Sequence, residues 1–184
     1  MEKDFLSPYS ITMIPINGIQ KLKWIRGLLV FFIAGLAFSG LTAYPLVTEI
    51  GILNSLIGSG SIMKEIWPGM AEWISKVHTG ITATDQIYPF LFYGTDWLAF
   101  AHLVIAVAFI GPWLDPVRNR WVITFGMIAC ASVIPTALFF GSLRGIPFYW
   151  QMIDCSFGVF GIMPLLLVWW YTRRLAVCEA AARS

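Results

Sequence analysis

Four stretches of this chain, about 24–46, 89–113, 121–142 and 147–171, are each apolar over the ~20 residues a helix needs to cross a hydrocarbon core of ~30 Å. No other feature restricts the fold so strongly. Inside hydrocarbon every backbone donor and acceptor must be satisfied within the segment, which an α-helix achieves and a lone strand does not. Composition points the same way. Of 184 residues, 58% are hydrophobic and 12% charged, about half the charge of a soluble domain. The expected fold is all-α. It is a polytopic membrane protein built as a four-transmembrane-helix bundle, one transmembrane domain over residues 1–184, with an extra amphipathic helix in the extracytoplasmic loop.

Orientation follows from the basic residues. Nine of the twelve Lys and Arg fall on one side: Lys3, Lys21, Lys23, Arg26, Arg118, Arg120, Arg173, Arg174 and Arg183. Lys64, Lys76 and Arg144 fall on the other. Both termini are therefore expected in the cytoplasm, in a multi-pass integral membrane protein. Trp113, Trp121, Trp169, Trp170 and Tyr171 then form a belt at the inner interface. The first span lacks an A-x-A cleavage pattern and reads as an uncleaved anchor. Residues 1–23 read as a cytoplasmic lead-in near the membrane.

The long connection 47–88 lies outside under this reading. Its first part, GILNSLIGSGS, looks turn-like. Over 62–77, Ile62, Ile66, Met70, Trp73 and Val77 recur at helical spacing, with Lys64, Glu65, Glu72 and Lys76 between them. That pattern predicts an amphipathic helix that starts or bends at Pro68, lying in the interface or closing over a site.

Polar residues within the spans carry the functional argument, because intramembrane charge is costly. Counted from the inner belt, Asp96 lies about 24 Å up, Asp154 and Thr136 about 21 Å, and His102 and Ser132 about 15 Å. Glu49 and Arg144 fall at the outer interface. Each span owns one small-or-polar face. These are Gly35, Ser39, Thr42, Leu46 and Glu49 on span one, and Thr95, Asp96, Ala99, His102 and Ala106 on span two. Span three has Ala129, Ser132 and Thr136; span four has Gln151, Asp154, Gly158 and Gly161. Small faces serve close helix packing in the first instance. Carboxylates beneath an interface must in addition find a donor, a cation or water. The turn SLRGIP makes spans three and four antiparallel neighbours and places Arg144 to pair with Asp154. The candidate ligand-binding or polar-core residues are Asp96, His102, Asp154, Arg144, Glu49, Gln151 and Thr136.

Familiar chemistries find little support. A bis-histidine haem would need His78 and His102 on one iron, although one lies outside and the other at mid-depth. No CxxC is present for dithiol chemistry. No lysine lies within a span to form a Schiff base. Zinc ligation by His102, Asp96 and Asp154 is weakly patterned, and Ser132, His102 and Asp154 lack a nucleophile elbow. The sequence indicates no metal, names no cofactor and carries no nucleic-acid footprint. Three readings stand. The first is a membrane protein binding a small molecule or lipid in an outer-half pocket. The second is a membrane-embedded enzyme using Asp96, His102 and Asp154. The third is an accessory subunit of a homo-oligomer or larger membrane complex.

Overall fold

A computed structural model of the chain describes residues 16–181. Among these the structure is helical, without strands. Helix α1 spans Ile16–Ala43, α2 Leu46–Ile57, α3 Met63–Ile66 and α4 Pro68–Ile87. After a 3₁₀ turn at Pro89–Phe92 come α5 Tyr93–Ala108, α6 Ile110–Leu114, α7 Arg120–Leu143 and α8 Phe148–Ala181. Four segments are long and apolar enough to cross a membrane: Gly18–Ala43, Pro89–Leu114, Arg120–Leu143 and Phe148–Cys178. The chain is thus an all-α protein of polytopic membrane type.

The expected spans match these segments in number and order, and their ends differ. Span one begins six residues before the expected Trp24, and span four continues past Tyr171 to Cys178. Hydropathy marks where lipid contact starts, whereas helical hydrogen bonding runs on through the basic turns holding Lys21, Lys23, Arg173 and Arg174. Of the expected lead-in, residues 1–15 lie outside the described residues, and from Ile16 the chain is helical.

The chain divides into two compact units. One comprises residues up to 33 together with 108 onward, and the other comprises 34–107. In the first, α7 and α8 form an antiparallel hairpin. The turn between them is a Schellman cap: Ile146 N–H donates to the Gly141 carbonyl (2.9 Å) and Gly145 N–H to the Ser142 carbonyl (3.2 Å). Gly145 sits at φ +67°, a conformation that costs other L-residues about 1–2 kcal/mol. Below the turn the helices approach through glycines. A Cβ at Gly141 would meet Gln151 Cγ at 2.7 Å, one at Gly158 the Cys130 carbonyl oxygen at 2.5 Å, and one at Gly126 Leu165 Cδ1 at 2.8 Å, with Phe109 Cζ beside it at 2.5 Å. These pairings step down α7 as they step up α8, as an antiparallel register requires. Phe109 is fully buried and stacks at 4.7 Å on Phe32 of α1.

In the second unit, the expected turn-like GILNSLIGSGS is largely helix. Its apolar residues Ile52, Leu53, Leu56 and Ile57 belong to α2, and only 58–62 make the turn. Asn54, Ser59 and Ser75 bind that turn to α4. Ser59 N–H donates to Ser75 Oγ, which donates to Asn54 Oδ1, each at 2.8 Å. The helix expected over 62–77 is split at Trp67, and α4 starts at Pro68, a first-turn position where no backbone donor is lost. Met70, Ala71 and Ile74 are buried, while Glu72 and Lys76 are exposed. Ile66 falls on the far side of the break and is 73% exposed, contrary to its expected place beside Met70.

Span one carries two further corrections. The expected stripe from Gly35 to Glu49 is cut at Pro45, because α1 stops at Ala43, and Glu49 sits exposed in the first turn of α2. The close approach is made by Gly40, where a Cβ would lie 2.9 Å from the Ala99 carbonyl oxygen of α5. Gly35 and Ser39 are exposed. One residue is 100° of helix, so the packing face passes through Gly40 and misses Ser39.

The seam yields a direct prediction. Gly158→Val puts its Cβ against a backbone carbonyl, which has no rotamer to yield, and should cost about 1–3 kcal/mol. Gly27→Ala, where a Cβ would meet nothing within 4 Å, should be neutral or stabilising by up to about 1 kcal/mol. Thermal unfolding of the two variants in detergent checks both.

Candidate functional site

The α7–α8 hairpin carries an open groove of about 380 Å³. Its lining is Ala129, Ser132, Val133, Thr136 and Ala137 of α7, with Asp154 of α8. The α7 positions follow helical periodicity, so one face of that helix forms the wall. Two of the expected site residues, Thr136 and Asp154, therefore meet here, and the Ala129, Ser132, Thr136 stripe lies along it. Ser132 Oγ donates to the Ile128 carbonyl at 2.8 Å, so its hydroxyl proton is spent within α7. Pro135 has no N–H to offer the Ala131 carbonyl one turn back, which leaves an acceptor on this stretch of helix.

Asp154 is half-buried, and among the described residues no hydrogen bond or ion pair reaches its carboxylate. The expected Arg144–Asp154 pair does not form. Arg144 caps the C-terminus of α7 and stays exposed, whereas Asp154 lies six residues, about 9 Å, below the start of α8.

Gln151 has a different task. It is 3% exposed. Its Nε2 donates to the Ile146 carbonyl at 2.8 Å, and its Oε1 accepts from Ser142 Oγ at 3.4 Å. Both partners belong to the hairpin turn, and the side chain fills the space left by Gly141. Gln151 thus locks the turn.

The remaining candidates belong to the other unit. Asp96 is half-buried in the first turn of α5. His102 Nδ1 donates to the Leu98 carbonyl one turn back at 2.8 Å. The two flank the buried stripe of Ala99 and Ala106, the same stripe that meets Gly40 of α1. Glu49 is exposed on α2. Among the described residues no three His, Cys, Asp or Glu side chains converge as a metal site would require.

Compared with known proteins, the chain matches no family, no curated protein and no solved structure.

The division of labour between Asp154 and Gln151 is measurable. Asp154→Asn should change unfolding stability by less than about 1 kcal/mol, since no partner is orphaned; a buried pair would lose about 3–5 kcal/mol. Gln151→Leu strands the Ile146 carbonyl and should cost about 1–3 kcal/mol. Chemical unfolding followed by circular dichroism distinguishes the two.

Proposed function

We propose that this is a ligand-binding membrane protein whose α7–α8 groove takes a small molecule or lipid dissolved in the bilayer. The observation that carries this reading is Asp154, a carboxylate in an apolar-walled groove with no partner among the described residues. A carboxylate at membrane depth that serves only packing is costly to retain. An occupant that brings a donor or a positive charge removes that cost. A few polar groups on an apolar wall make the usual small-molecule site, and about 380 Å³ lies at the small end of the usual 300–1,000 Å³ range. The size suits a compact molecule or one headgroup. Asp154 is the orienting group, and Thr136 is a second polar contact.

The proposed topology has both termini in the cytoplasm, on the strength of the basic-residue asymmetry. In that frame α4 is an amphipathic helix of the outer surface, an assignment supported by its buried Met70 and Ile74 and its exposed Glu72 and Lys76.

Native mass spectrometry of protein extracted from its own membrane tests the binding reading. The wild type should retain a small molecule or lipid that Asp154→Asn loses at unchanged helicity. An identical retained population in both proteins would sink the assignment of Asp154. For topology, cysteines placed near Lys64 should react with a membrane-impermeant maleimide added outside, and cysteines near Arg118 should not. The opposite labelling pattern would invert the orientation.

A further inference from the structure

The end of the first unit opposite the hairpin turn is strongly cationic. Lys21, Lys23 and Arg26 lie on α1, Arg118 and Arg120 at the turn into α7, and Arg173 and Arg174 on α8. Side-chain contacts bring these three segments to one end. Arg26 Nε donates to the Trp113 carbonyl at 3.2 Å, and Lys21 Nζ lies 3.9 Å from Cys178 Sγ. The acidic residues of the same segments are Asp115 and Glu179, and Asp115 accepts from the Arg118 backbone N–H at 3.0 Å. Three guanidinium groups rest on indole rings: Arg26 on Trp113 at 5.7 Å, Arg173 on Trp169 at 4.6 Å and Arg174 on Trp170 at 3.7 Å. Stacking of this kind holds the charge over the ring face and orders it before any ligand arrives.

Beside this cluster, one face of α1 bears a groove of about 650 Å³ lined by Ile19, Gln20, Lys23, Trp24, Gly27 and Leu28. The spacing is one helical face over about 13 Å. Its polar groups are Gln20 and Lys23, and Lys23 is exposed with no acidic side chain paired to it among the described residues. Toward the membrane interior the lining turns apolar. Gly27 leaves the path open, because a Cβ there would meet nothing within 4 Å. Trp24, 58% exposed, sits between the polar and apolar parts, where an indole prefers to lie in a bilayer.

We propose that this groove binds an anionic phospholipid, with the headgroup phosphate on Lys23 and Gln20 and an acyl chain along Gly27 and Leu28. Charge complementarity selects the anion, since the surrounding end is basic and each nearby cation favours an anionic headgroup by about fivefold. The amphiphilic lining selects a lipid over a free phosphate, because a soluble anion would leave Trp24, Gly27 and Leu28 unused. The site is independent of the Asp154 groove.

The test uses the purified full chain, offered phosphatidylglycerol and phosphatidylcholine of identical acyl chains and read by native mass spectrometry. Phosphatidylglycerol should be retained in preference. Lys23→Ala should lower its retention by about fivefold, and Lys23→Arg should restore it. Lys64→Ala should leave it unchanged. Comparison is restricted to variants with wild-type helicity. Equal retention of the two lipids, or no loss in Lys23→Ala, overturns the proposal. Displacement by glycerol 3-phosphate as effective as by the lipid would assign the site to a phosphate alone. A lipid-free dimer that protects cysteines placed at position 24 would assign the groove to a second copy of the chain. Either result overturns the lipid assignment.

Discussion

Helices in hydrocarbon gain little by burying leucine against leucine, because lipid tails are equally apolar; they associate where their backbones approach closely. In the α7–α8 hairpin that approach is made by glycine. Gly126, Gly141 and Gly158 each face an atom that a Cβ would strike. The first consequence is register, since Gly126 and Gly141 each admit a partner side chain and any side chain in place of Gly158 would meet the Cys130 carbonyl. The second is the Schellman turn, which the register brings within reach of Gln151. The third is the groove, because the pairing that buries Gly158 against Cys130 leaves Asp154 opposite Thr136 and Ser132.

Polar groups in this hairpin have separate duties. Gln151 spends its hydrogen bonds on the turn, and Arg144 caps α7 in the open. Neither neutralises Asp154. A membrane hairpin already closed by glycine packing and a satisfied glutamine has no structural need for a carboxylate two turns down. That surplus is what directs attention to the groove. Carboxylates kept at such depth are more readily explained by what they meet than by what they support.

Much of the fold was legible because length and hydropathy are local properties. The four spans, their order and the antiparallel pairing of the last two followed from apolar runs and from the short SLRGIP turn. What escaped depends on contacts across the chain. Periodicity assigned the packing face of span one to Gly35 and Ser39, whereas the Ala99 carbonyl selects Gly40, one position away. GILNSLIGSGS read as a turn because Gly and Ser dominate its second half, although its first half is regular α-helix. Arg144 and Asp154 looked like partners because sequence gives proximity along the chain and omits the exit direction of a capping residue. The shared groove of Thr136 and Asp154 was foreshadowed by stripes of small and polar residues on both helices. Gln151, on the same stripe, shows that a face can be identified without revealing which of its members bond to the backbone.

We propose that the Asp154 groove is occupied by a small molecule or lipid. The most direct test is a photoreactive amino acid incorporated at Ala137, on the groove wall, and activated in native membranes. The wild type should yield an adduct of small-molecule or lipid mass that disappears when Asp154→Asn is introduced in the same chain. An adduct with another polypeptide, or a lipid adduct indifferent to Asp154, would contradict it.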